Sequence, residues 1–84
     1  MRSVELKETI EEIGKTLNEV LAGLFRWNEQ TVNIEPYIRF VRLAGLGGLV
    51  SPMDLLRNDI GYSYRNLAID EIGNGLVVVR RNHD

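Results

Sequence analysis

The sequence predicts an α+β fold: a long N-terminal helix and a shorter second helix packed on a small antiparallel three-stranded sheet. Three observations carry that expectation. Apolar residues recur at helical spacing across residues 4–25, whereas residues 49–81 break into short β-rich pieces separated by turns. Between them lies a shorter segment opened by Pro36 and closed by Gly45. The 84 residues read as a single domain, with an amphipathic helix over residues 1–26 and the second helix and sheet over 27–84.

The first helix is the strongest element. Ser3 is placed to cap a helix starting at Val4, with Glu5 near the positive end of the dipole. Leu6, Ile10, Ile13, Leu17, Val20 and Leu24 follow at steps of 4, 3, 4, 3 and 4. That spacing makes a heptad-like seam, which Leu21 and Phe25 widen. Glu8, Glu11, Glu12, Lys15 and Glu19 lie off the seam, and Glu11 and Lys15 form a well-oriented i,i+4 pair. A helix of about 22 residues spans roughly 33 Å, long for so small a domain.

Arg26 to Gln30 is a polar break holding the only tryptophan, Trp27, expected at a core edge or as an exposed anchor. Thr31 to Ile34 is a short extended piece. Pro36 then opens the second helix, with Ile38, Val41 and Leu43 inward and Arg39 and Arg42 outward. Ser51 to Leu56 has two readings. Ser51-Pro52-Met53-Asp54 resembles a capping box before a short helix, while Val50 to Leu56 also suits an edge strand, and the strand is preferred. Asn58 to Gly61 is turn chemistry, Tyr62 to Ile69 is extended, and Glu71 to Gly75 turns again. Leu76-Val77-Val78-Val79, closed by Arg80-Arg81, is the most secure strand.

Composition excludes several classes. No cysteine is present and His83 is the single histidine, so neither a disulfide framework nor a zinc site is expected. The net charge of −2 divides into −3 over residues 1–36 and +1 over 37–84, too little to argue for nucleic acid. Leu43 to Val50, the longest apolar run, includes three glycines and is too short for a bilayer. A soluble cytoplasmic protein is expected.

No motif announces catalysis. Gly45, Gly47 and Gly48 lack the Lys-Ser/Thr of a phosphate loop, and Ser51 and Ser63 lack a nucleophile elbow. Asp54, Asp59, Asp70 and Glu71 fit no calcium loop, and His83 has only Asp84 beside it. The expectation is a non-enzyme without cofactor or metal. The seam remains, either packed wholly on the domain's own sheet or shared with another chain. On the shared reading the contact residues are Ile10, Ile13, Leu17 and Leu24, with Trp27 at the rim, and the partner is a second copy or a larger assembly.

The order of motifs adds a resemblance. Ile38 to Ala44, Leu49-Val50, Asp54-Leu55, Asn66-Leu67-Ala68-Ile69, Glu71-Ile72 and Gly75-Leu76-Val77-Val78-Val79 run in sequence. This series resembles the C-terminal domain of the phage baseplate J-like family, structural wedge proteins of contractile tails, over roughly residues 17–79. The resemblance implies a viral structural protein that joins copies of itself and neighbouring tail subunits, located in the virion.

The competing expectation is a winged-helix DNA-binding regulator. Tyr64 to Ile72 would form its recognition helix, and Gly75 to Arg81 its first wing strand. Tyr64, Arg65 and Asn66 would enter the major groove, and Arg80 and Arg81 would touch phosphates.

Overall fold

A computed structural model describes residues 2–82, so His83 and Asp84 lie outside the described residues. Its elements are α1 (Arg2–Trp27), β1 (Glu29–Asn33), α2 (Glu35–Leu43), α3 (Pro52–Gly61), β2 (Leu67–Gly73) and β3 (Leu76–Arg81). The sheet is antiparallel throughout with strand order β1-β3-β2. The architecture is α+β as expected, with two shorter helices rather than one.

The period of α1 accounts for its length, but the buried face is turned from the seam. Thr9, Val20, Gly23 and Leu24 are buried, Ile13 and Leu17 are half-buried, and Ile10 is 51% exposed. Thr9, Thr16 and Gly23 are small, which lets the body of the domain approach that side. A Cβ on Gly23 would lie 2.8 Å from Gln30 Cβ, so β1 crosses α1 at a distance only glycine tolerates. Ser3 is in the first turn of α1 rather than ahead of it. Asn28, in the left-handed region with φ 63°, ends the helix and leads directly into β1.

Pro36 stands in the first turn of α2 as expected, and Asn33 Oδ1 accepts a hydrogen bond from the Glu35 amide at 2.9 Å. The helix closes as a Schellman motif around Gly45 (φ 69°). The Leu46 amide donates to Val41 O at 2.9 Å and the Gly45 amide to Arg42 O at 3.2 Å. The inward residues are Pro36, Tyr37 and Val41. Ile38, expected inward, is displaced to the rim at 37% exposure by the tyrosine beside it.

The expected edge strand over Val50 to Leu56 is instead the start of α3. Ser51 decides it: extended itself, it accepts a hydrogen bond from the Met53 amide at 3.2 Å through Oγ, and Pro52 fits the first helical turn. Leu56 and Ile60, one turn apart, are then wholly buried.

The hairpin joining β2 to β3 turns on Asn74-Gly75, both with positive φ (55° and 78°), the geometry of a type I′ turn. In this register Val77 and Val79 share one face with Val32 and Ile69. That face meets Val20, Leu24, Ile34, Tyr37, Leu56 and Ile60 in the core. Full burial of side chains such as Leu24, Leu56 and Ile60 contributes about 1.5–3 kcal/mol each. The opposite face is open and charged: Arg80 pairs with Glu29 at 3.1 Å and Asp70 at 3.6 Å across all three strands. Among the described residues no helix is long and apolar enough to cross a membrane.

Candidate functional site

Exposed apolar side chains are spread over the described residues, Phe25, Trp27, Leu49, Tyr62 and Ile72 among them, and Ile10 belongs to a groove where the three helices meet. Ile10 and Ile13 of α1, Tyr37 and Phe40 of α2, and Leu55 and Asp59 of α3 line a groove of about 320 Å³. Each helix supplies its part for a local reason. On α1, Ile10 lies on the flank of the seam that turns away from the sheet. On α2, the shift that buries Tyr37 brings Phe40 to the rim. On α3, burial of Leu56 and Ile60 leaves Leu55 and Asp59 facing α1.

The floor of the groove is fixed by one polar contact. Tyr37, 1% exposed, donates its hydroxyl to Asp59 Oδ2 at 2.8 Å. Burial first, and then the Asp59 carboxylate, hold the phenol well above its ordinary range. A second polar tie joins α1 to α2 outside the groove: Arg39 donates to Glu12 at 3.0 Å and also to Glu35 on its own helix. Its hydrogen bonds to Glu35, and then to Glu12, raise the guanidinium above its usual value. The groove is thus an apolar trough with one carboxylate already engaged by a tyrosine. It suits an apolar side chain from another molecule better than a charged or metal-bound ligand. Among the described residues no cluster of histidine and carboxylate side chains could hold a metal ion.

The expected contact residues separate. Ile10 and Ile13 line the groove, and Leu17 is half-buried beside it. Leu24 offers no surface at all, being 0% exposed among core residues, and is a core residue rather than a contact. Trp27 is 66% exposed, with the Arg26 guanidinium 5.9 Å from its ring centroid. It stands 17 residues beyond Ile10, about 25 Å along the helix axis, and is not part of the groove. Tyr37, Phe40, Leu55 and Asp59 were not anticipated, because they meet Ile10 only through tertiary packing.

The recognition helix of the winged-helix expectation is not formed. Residues 67–73 are strand β2, and Tyr64, Arg65 and Asn66 lie in the connection before it. Alternation of Leu67 and Ile69 against β3 won over the helical reading. The two wing arginines are engaged within the chain. Arg80 is in the ion pairs described above, while Arg81 stacks 5.1 Å over the Tyr64 ring and donates to Asn28 Oδ1. Asn66 O accepts the Asn82 amide at 2.7 Å.

Compared with known protein families, with curated proteins and with solved structures, the chain has no significant match in any of the three.

Proposed function

We propose that this chain is a non-enzymatic assembly domain that docks protein partners on the groove between α1, α2 and α3. The observation that supports it is the contrast between two surfaces. The open sheet face carries the paired charges of Glu29, Arg80 and Asp70 across its three strands, whereas Ile10 stands half-exposed above an apolar trough. A side chain of that kind contributes little to the monomer and becomes an anchor when another protein covers it.

The test is site-specific photocrosslinking in the native cell. A photoreactive residue at Ile10 is expected to form adducts with a protein chain, and the same residue at Val78, on the open sheet face, is not. Absence of adducts at Ile10, or equal adducts at both positions, would end this reading.

In its more specific form the partner assembly is a phage tail baseplate, a role that rests on the motif series between residues 17 and 79. Recovery of the chain from purified tail particles tests that form. Its absence from such particles would remove the baseplate while leaving the docking groove.

A further inference from the structure

We propose that Asn74 is a site of spontaneous backbone modification, held in check by the hairpin turn for as long as the chain is folded. The sequence has seven asparagines, followed in order by Glu, Glu, Ile, Asp, Leu, Gly and His, so Asn74 alone precedes a glycine. That neighbour decides the chemistry. With no side chain on Gly75 to obstruct it, the Gly75 nitrogen can attack the Asn74 side-chain carbonyl and close a five-membered succinimide. The amide proton passes to solvent, and the side-chain nitrogen takes up a proton and leaves as ammonia. Water then opens the ring at either carbonyl. One opening leaves aspartate, and the other leaves isoaspartate, in which the main chain runs through the former side chain. The sum is one water in and one ammonia out, with no oxidant or cofactor.

Asn74 is exposed at the tip between β2 and β3, so water reaches it. The turn itself opposes ring closure. Closure needs the Gly75 nitrogen eclipsed with Cβ about the Asn74 Cα–C bond. Asn74 has φ 55°, and the first central residue of a type I′ turn has ψ of about 30°, which sets that nitrogen nearly opposite Cβ. Rotating it into place means opening the hairpin, and the tip is tied down. Gly75 O accepts the amide of Ile34, the N-cap residue of α2, at 2.8 Å, and Asn33 Oδ1 lies 3.6 Å from where a Gly75 Cβ would stand.

The two products differ in what they do to the sheet. Aspartate followed by glycine suits the same turn. Isoaspartate adds a backbone carbon to a two-residue loop, and the Gly73–Leu76 pairing and the Gly75–Ile34 bond are not both kept. The damage reaches all three strands, because Leu76 opens the middle strand and pairs with Asn33 of β1 as well as Gly73 of β2.

The test compares the purified chain at pH 8 and 37 °C in native buffer and in concentrated guanidinium chloride, with peptide mapping by mass spectrometry to follow deamidation at each asparagine. In guanidinium Asn74 should convert first. Hairpin openings of this kind are populated at roughly the per cent level, so conversion in native buffer should be about 100-fold slower. Gly75→Ala, read in guanidinium where the fold plays no part, should slow the reaction by obstructing the attacking nitrogen. After native ageing, the separated isoaspartate form should melt below wild type, whereas Asn74→Asp should melt close to it. Equal rates in the two solvents, another asparagine converting as fast in guanidinium, or an isoaspartate form that melts with wild type would overturn the proposal.

Discussion

Removing the Tyr37 hydroxyl should change how stability depends on pH as well as how large it is. Tyr37→Phe keeps the ring in the core and deletes the 2.8 Å hydrogen bond to Asp59. Hydrogen bonds to charged groups contribute about 1.5–3 kcal/mol net. Asp59 remains partly open to water, so about 1–2 kcal/mol is expected at neutral pH. The phenol's folded pKa is raised above its unfolded value near 10. A group raised in this way gives its full contribution below pH 10 and loses it as pH climbs toward the folded value. By pH 11 an unfolded tyrosine is largely ionised, and wild type should have lost about 1.4 kcal/mol to this one site. The variant has no such group at position 37. Urea unfolding followed by circular dichroism at pH 8, 10 and 11 should show wild type more stable at pH 8 and the two chains converging by pH 11. A gap that stays constant across that range would refute the linkage between Tyr37 burial and the Asp59 contact.

Two further substitutions test the packing of the helices. Gly23→Ala and Gly14→Ala should act with opposite sign in thermal unfolding at a few micromolar protein. The first drives a methyl into Gln30 and costs about 1–3 kcal/mol, more than the roughly 1 kcal/mol gained in helix propensity, whereas the second meets open space and keeps that gain. Ser51→Ala removes the cap of α3 and should cost about 1 kcal/mol, a fall of about 4–8 °C in Tm for a domain of this size. An unchanged Tm in Ser51→Ala would mean that Pro52 and the packing of Leu56 and Ile60 are enough to hold the start of α3.

What could be read from the residues follows the length of each pattern. The seam of α1 repeats over five intervals and Leu76 to Val79 is a compact β-branched run, so both elements emerge where expected. Pro36 and Gly45 bracket α2 because each acts through its own backbone, without help from distant residues. The register within α2 was another matter. Tyr37 and Ile38 stand three or four residues before Val41, and both spacings are helical, so burial of one over the other is settled only when Asp59 meets the Tyr37 hydroxyl. The α3 segment holds too few apolar residues to display a period, leaving Ser51 as its best local signal. The candidate site was half legible for the same reason. Ile10 and Ile13 belong to a long repeat, whereas Phe40, Leu55 and Asp59 join them from helices that begin 25 and more residues later.

The strand order β1-β3-β2 has a consequence for how the chain is made. The middle strand follows both of its neighbours in the chain, and Glu29 must wait 51 residues for its neighbour Arg80. Until β3 leaves the ribosome, neither outer strand has anything to pair with, and Val20 and Leu24 have no sheet to cover them. Folding of this sheet is therefore delayed until β3 has emerged. Until then the nascent chain exposes a bare amphipathic helix with two unpaired strands, and chaperone protection during that interval matters more here than for a fold built from adjacent hairpins.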